Sequence, residues 1–467
     1  MAYMEIFSII FSLFNKGFSV YLDKSRQYFS STGQSDYIDR YSLPEYYIKF
    51  SKELMVLMMR GLLGITVLIV FSWIISENRR LFRFRNLITG IFLQFAIALI
   101  FFKVPVFQSI FLYLNKLVDM LDKASVEGTS MVFGYLGGGE LPFAETYPGA
   151  SFVFAFRSLP IVIVVSALSA LFLYWKITPF IIKSLSRFLE KTMGIGAAVG
   201  ISTAANIFVG MIEAPLLIKP YVNKMTRSEL FLLMTAGMAT IAGTVLMLYA
   251  AILEKTVPNS LGNILTASII SAPAAILVSR IMVPETQPST EGRIDESVQY
   301  NGSMDAVSRG TLDGMKLFLN IVGMLIVLVA LVSLVNQILL LLPFEKPITL
   351  QLIMGYIFTP LMWLIGIPWE EAHQAGSLMG IKTILNELLA YMELASLPAG
   401  SLSEKSRLVI TYAMCGFANF GSLGIMIGGL YSIAPERSKE ISSLAPKSLI
   451  SGTIATLMTG AVVAVIL

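Results

Sequence analysis

The sequence predicts an all-α polytopic membrane protein, with eight transmembrane helices and two re-entrant hairpins arranged as an inverted repeat. Three observations predict it: a composition too apolar for a wet surface, recurring apolar stretches of spanning length, and a weak duplication with one carboxylate in apolar surroundings upstream of each copy. The chain has 467 residues, of which 55% are hydrophobic and 14% charged, and a mean hydropathy of +0.74. Soluble domains carry roughly a quarter charged residues, so a soluble all-α protein of this composition is excluded.

The spans follow from the apolar runs, each of which needs about 20 residues to cross a hydrocarbon core of about 30 Å. They are expected near 55–75, 87–103, 152–175, 228–253, 260–283, 316–342, 409–431 and 448–467, with a further apolar stretch at 350–367 that does not cross. Two more apolar stretches, between Lys176 and Lys219 and between Glu370 and Ser396, are broken by glycine, proline and carboxylate and read poorly as ordinary spans. Residues 104–150 read as a long outside loop, and 284–310 as a cytoplasmic linker.

Charge then sets orientation. Arg79, Arg80, Arg83 and Arg85 sit in one short loop; Lys176, Lys183, Arg187 and Lys191 flank the third span. Lys219, Lys224 and Arg227 precede the fourth, and Arg437, Lys439 and Lys447 the last. Basic residues stay on the cytoplasmic side, which puts all these segments on one face and both termini outside. The net charge of +4 is therefore spread over membrane loops, and the partner it implies is the lipid bilayer, with no nucleic acid. Cys415 and His373 are the single cysteine and histidine, which excludes an intrachain disulfide, a cysteine cluster and a histidine-paired zinc site. Met4–Phe14 is too short to span and reads as an interfacial segment; residues 22–50 read as a loop.

The duplication is the most informative feature. AGMATIAGT (236–244) aligns without gaps onto CGFANFGSL (415–423), pairing Gly237 with Gly416 and Thr240 with Asn419. Upstream of each copy lies one carboxylate in apolar surroundings, Glu213 and Glu387. The first copy follows an inside loop and the second an outside one, so the two units are inverted, as in secondary transporters whose broken helices meet at the midplane. A charged side chain at membrane depth costs roughly 3 kcal/mol or more and marks a functional site. Gly210 and Pro215 flank Glu213, so no continuous helix passes it and the unpaired backbone must face a cavity or a ligand. Asn206 and Thr240 supply oxygens of the kind a hard cation takes, although both residue types also serve as ordinary interhelical glue. An intramembrane hydrolase is not expected: Asp119, Asp122, Asp305 and Asp313 fall in loops or at span edges.

Four ordered blocks carry a resemblance: AANIFVGMIEAPLLIKPYVNKMTRSELF (204–231), GMATIAGTV (237–245), KTILNELLAY (382–391) and CGFANFGSLGI (415–425). Over about 90–467 the chain resembles the concentrative nucleoside transporter family. That resemblance implies a homotrimer in the cell inner (cytoplasmic) membrane, each protomer having a scaffold domain and a transport domain that moves like an elevator. It implies import of a nucleoside-like substrate by symport with Na+, with H+ the alternative, and no organic cofactor. The implied organisation is an N-terminal segment at 1–50, first scaffold helices at 51–175, a first transport repeat at 176–283, a linker and scaffold span at 284–345, and a second transport repeat at 346–467.

Carried over residue by residue, the resemblance implies that Glu387, Asn419 and Ser422 hydrogen-bond the sugar, with Phe417 packed beside it. Met211, Ile212, Glu213 and Val245 match positions near the base. Asn206 and Thr240 match the side-chain ligands for Na+, and Val209, Thr240 and Ile241 its carbonyl donors. One departure stands out: the family's hairpin tip usually reads Gly-Gln-Thr/Ser-Glu, whereas here it is Gly210-Met211-Ile212-Glu213. Met and Ile offer apolar, adaptable surface in place of groups that read a polar base edge. Three outcomes stay open: a purine nucleoside held by packing, broad nucleoside specificity, or a related polyol-bearing ligand.

Overall fold

The computed structural model describes residues 43–146, 150–294, 300–343, 348–398 and 400–467, so the expected interfacial segment Met4–Phe14 lies outside the described residues. Residues 57–467 form one compact unit. Regular structure among the described residues is helical throughout. This is what a chain in lipid must do, because every backbone N–H and C=O there has to be satisfied internally.

The first helices are α1 (Leu43–Ile74), α2 (Phe84–Lys103), α3 (Pro105–Phe133), α4 (Phe154–Arg157) and α5 (Ile161–Tyr174). The first repeat follows as α6 (Ile177–Met193), α7 (Ala197–Ala205), α8 (Glu213–Leu216), α9 (Lys219–Val222), α10 (Arg227–Ala239), α11 (Gly243–Leu253) and α12 (Ser260–Met282). The long α13 (Ser303–Leu340) leads to the second repeat: α14 (Leu350–Leu364), α15 (Trp369–Ile384), α16 (Glu387–Ser396), α17 (Glu404–Met414), α18 (Phe420–Ile433) and α19 (Ser438–Ile466). Among the described residues, 6 helical segments are long and apolar enough to cross a membrane by themselves. The ends of α1 (Met58–Ile74) and of the broken helix α17–α18 supply two more crossings, which gives the eight expected.

Two loops of the sequence reading are helices instead. Much of 104–150 is α3, which starts with Pro105 at its first turn and buries Phe111, Val118, Ser125 and Thr129. Those positions recur at 7, 7 and 4 residues, one stripe of an amphipathic helix, while Lys116, Asp119, Asp122 and Lys123 break up the apolar run that a span needs. The end of the 284–310 linker is likewise helical, because α13 begins at Ser303.

Small residues bring several of these helices into close contact. In α13, a Cβ on Gly310 or Gly314 would come within 2.8 Å of the Ala167 Cα or 2.7 Å of the Ile163 Cα, so α5 and α13 touch backbone to backbone. By contrast α1 and α2 pack on the two repeats: Gly61 abuts Val465, Gly64 the Leu364 carbonyl, and Gly90 the Leu277 side chain. Residues 57–103 therefore pack with the repeats; α5 and α13 pack closely on each other, and α13 also reaches the second hairpin, where Val332 packs with Ile384 and Leu385.

At one end of the bundle an ionic cluster ties three basic segments together. Glu77 accepts from Arg227 at 2.8 Å and from Lys447 at 2.6 Å, and Glu440 pairs with Arg437 at 2.5 Å and Arg227 at 3.6 Å. The two cations hold the Glu77 carboxyl at about 2, down from an ordinary 4.5. The loops at 76–86, 219–227 and 437–447 thus share one face, as the distribution of basic residues requires.

Candidate functional site

Both predicted broken spans are present, and each has a local cause. Helix α10 opens with a capping box between Thr226 and Glu229 and ends at Ala239, where Thr240 turns to extended backbone with φ −116° and ψ 172°. Helix α11 resumes at Gly243, so the first break is 240–242. The second break runs from Cys415 to Asn419, between α17 and α18, and Asn419 caps α18 by accepting from the Ser422 N–H at 2.7 Å.

The structure corrects the register of the duplication. The gapless alignment pairs Thr240 with Asn419, yet Thr240 closes the first half of its span while Asn419 opens the second half of its own. The two breaks differ in length, which a gapless comparison of small residues does not detect.

The breaks lie against each other. The Phe417 N–H donates to the Thr240 carbonyl at 3.2 Å, and a Cβ on Gly416 would stand 2.8 Å from the Ala239 carbonyl. The tip of the first hairpin joins them: the Gly243 N–H donates to the Phe208 carbonyl at 3.2 Å, and a Cβ on Gly243 would stand 2.3 Å from that oxygen. Thr240 Oγ1 donates to the Ala236 carbonyl at 2.9 Å and to the Asn206 carbonyl at 3.3 Å. Asn206 is 2% exposed, and neither its Oδ1 nor its Nδ2 has a hydrogen-bond partner. Buried amides are nearly always hydrogen-bonded, so an unpaired one beside two broken helices fits a ligand site. Ile241 is buried within the same break, and Val209 donates its N–H to the Ala205 carbonyl at 2.8 Å.

The second hairpin delivers the other carboxylate. Asn386 caps α16 by accepting from the Leu389 N–H at 2.9 Å, which places Glu387 in the first turn with favourable orientation toward the helix N-terminus. Glu387 is 3% exposed; its Oε1 accepts from the Tyr249 hydroxyl at 2.7 Å and its Oε2 from the Asn419 amide at 2.9 Å. Hydrogen bonds to a charged group contribute about 1.5–3 kcal/mol each, so this cluster is rigid and directional. It joins α11, α16 and the second break. Tyr249 was not picked out in the sequence, since a tyrosine inside LMLYAAIL is ordinary apolar content there. Beneath it, the Tyr249 and Tyr391 rings lie 5.2 Å apart, and the Tyr391 hydroxyl donates to the Thr411 carbonyl at 3.0 Å.

Glu387, Asn419 and Ser422 are therefore brought together by hydrogen bonds, as are Asn206, Thr240 and Phe417. The first hairpin tip is placed differently. Met211 is 9% exposed and packs on Gly237, while Ile212 packs on Gly429. The tip is thus seated between α10 and α18. Glu213 is exposed, shares no hydrogen bond with the Glu387 cluster, and folds back so far that a Cβ on Gly210 would meet its Oε2 at 2.1 Å. Val245 is buried in the first turn of α11.

This architecture agrees with the comparisons with known proteins. Residues 263–464, 63–136 and 155–256 match the models described as Na+ dependent nucleoside transporter C-terminus, Na+ dependent nucleoside transporter N-terminus and Nucleoside recognition. The chain is 36% identical over 409 residues to the uncharacterized transporter YutK of Bacillus subtilis, covering 86% of this chain and 98% of that protein. It is 34% identical over 411 residues to the nucleoside permease NupC of Helicobacter pylori, covering 86% and 96%. The chain belongs to the concentrative nucleoside transporter family. It is an integral membrane protein and a secondary active transporter of the nucleoside:cation symport class, not an enzyme. The solved structure of CNTnw in an inward-facing, substrate-bound state superimposes with a TM-score of 0.80 at 34% identity, covering 87% of this chain and 98% of that one. A CNTnw variant in an outward-facing state matches with a TM-score of 0.80 at 33% identity, covering 87% and 97%. The same architecture thus exists in two alternating states, as an elevator requires.

Proposed function

We propose that this transporter imports nucleosides across the inner membrane by symport with Na+, as a homotrimer. The observation that carries the substrate reading is the Glu387 cluster, a buried carboxylate oriented by Tyr249 and Asn419. Vicinal sugar hydroxyls are donors that such a carboxylate binds strongly, and a buried acceptor discriminates sharply against analogues lacking them. Ser422 and Phe417 complete the sugar side, and Val245, Met211, Ile212 and Glu213 the base side.

For the ion, Asn206 and Thr240 with the Val209, Thr240 and Ile241 carbonyls form an oxygen-rich set, and the unpaired Asn206 amide supports it. The family model is described as Na+ dependent, and the rat sodium/nucleoside cotransporter 2 is 31% identical over 410 residues, covering 83% of this chain and 60% of that protein. H+ coupling is the second reading.

The moving body in this proposal comprises the two repeats, 176–283 and 346–467, and the scaffold comprises the helices of 51–175 with the span in 284–345. Within that scaffold α13 presents an exposed apolar face (Ile326, Leu331, Leu334 and Ile338) suited to lipid or neighbouring protomers.

The deciding experiment is uptake of tritiated adenosine and uridine into proteoliposomes under an Na+ gradient, for wild type and Glu387→Gln. The wild type should accumulate nucleoside and the variant should not, while keeping its oligomeric state. Normal uptake by Glu387→Gln would remove the sugar-site assignment.

A further inference from the structure

Among the described residues Lys382 is the largest fully enclosed charged side chain: it is 0% exposed and its Nζ has no hydrogen-bond partner. It stands in the last turn of α15, five positions before Glu387, on the opposite limb of the same hairpin, with Leu385 and Asn386 making the turn between them. An ammonium removed from water without a hydrogen bond is costly, and an opposite charge nearby offsets that cost. Lys382 lies near enough to Glu387 for their opposite charges to stabilise each other, and Cys415 at the second break lies near both. No ion pair within 4.0 Å joins them, so the interaction is through space across the hairpin tip rather than a closed salt bridge.

We infer that Lys382 is a resident counter-cation of Glu387, keeping the carboxylate free to accept substrate hydroxyls while cancelling its charge inside the moving hairpin. This deepens the sugar-site reading and rests on Glu387 being the substrate acceptor. A direct salt bridge would occupy the carboxylate oxygens; here both are left to neutral donors, Tyr249 and Asn419, that a sugar hydroxyl can replace or join. A cation held beyond hydrogen-bond reach neutralises without competing, because Coulomb energy falls with distance far more slowly than a hydrogen bond does. Lys382 is in this sense a positioning residue: it touches Glu387's field, not the substrate. A hairpin that carries its own positive charge crosses the membrane with its sugar carboxylate compensated whether or not a coupling ion is aboard, which lowers the desolvation barrier to movement.

The alternative is that Lys382 is there for its apolar stem alone. A double-mutant cycle separates the two. Thermal stability of the purified full-length protein in detergent, without substrate, is measured for wild type, Lys382→Met, Glu387→Gln and the double variant. Met keeps the stem and removes the charge. If Lys382 compensates Glu387, Lys382→Met lowers the melting temperature and adding Glu387→Gln restores most of the loss. Should Lys382→Met alone fail to yield folded protein, recovery of folded protein in the double variant gives the same answer. Equal or additive losses, or no rescue of folding, overturn the inference. The complementary readout is uptake of tritiated adenosine, in which Lys382→Arg should retain at least a tenth of wild-type kcat/KM and Lys382→Met less than a hundredth. Uptake by Lys382→Met at the wild-type level would also overturn it. Because the stability cycle uses no substrate, its failure leaves the sugar-site reading to be judged by Glu387→Gln.

Discussion

The main-chain N–H of Phe417 donates to the carbonyl of Thr240 at 3.2 Å, so the break in one span is hydrogen-bonded to the break in another. Unwound backbone at membrane depth leaves peptide groups that water cannot reach. Here part of that demand is met by the second break and part by the hairpin tip, through Phe208 and Gly243. The crossing point is consequently a joint of three chain segments, and its fit tolerates little added volume.

Gly416→Ala tests that fit. The new methyl would lie 2.8 Å from the Ala239 carbonyl and 2.7 Å from Thr456 Cγ2, so the two spans must separate. Overpacking of this kind costs about 1–3 kcal/mol. A lowered melting temperature with reduced uptake is expected; an unchanged melting temperature would mean the breaks are not in firm contact.

Tyr249→Phe removes one donor from Glu387 without changing the tilted ring contact with Tyr391. A hydrogen bond to a charged group contributes about 1.5–3 kcal/mol, so kcat/KM for nucleoside uptake should fall roughly ten- to hundredfold. Wild-type kinetics in this variant would show that Tyr249 merely parks against the carboxylate.

Asn206→Ala combined with Thr240→Ala should remove the dependence of uptake on Na+. The control is the wild type with Na+ replaced by choline, where uptake should collapse. Wild-type uptake that ignores this replacement would transfer coupling to H+.

Met211→Gln with Ile212→Thr should raise affinity for uridine relative to adenosine, since both new side chains can read a polar base edge. The seating of these residues on Gly237 and Gly429 adds a second expectation, a loss of stability from placing polar groups in an apolar contact. The affinity ratio is measured by thermal shift with each nucleoside, and an unchanged ratio would mean the base is read elsewhere.

Glu77 gives a pH test outside the membrane-spanning segments. Its carboxyl sits at about 2 in the folded protein against an ordinary 4.5, held there first by Arg227 and then by Lys447. A carboxyl depressed by folding stabilises fully above its unfolded value, and that contribution fades as pH falls from 4.5 towards 2. Glu77→Gln should therefore melt below wild type at pH 7, with the gap narrowing below pH 4.5. A gap that stays constant across that window would assign the effect to packing.

The spans, both hairpins and both carboxylates were legible because lipid imposes one-dimensional rules: length, apolarity and the expense of any charge at depth act on contiguous residues. Glycine and proline around Glu213 exposed the first hairpin by the same logic. The helix α3 was not legible as such, because Lys116, Asp119, Asp122 and Lys123 break the apolar run while leaving the helical period intact.

What the sequence by itself determined, then, is a transporter with two broken spans and a carboxylate beside each copy of the duplication. Tertiary structure alone decided which groups meet. Tyr249 and Glu387 lie 138 positions apart, and no periodicity links them until α11 and α16 pack together. The true register of the breaks depends on where each backbone turns extended, which small residues leave open. Lys382 is one more residue of KTILNELLAY in one dimension; only its enclosure on every side makes it a charge to be compensated, and Glu387 is the group placed to do so.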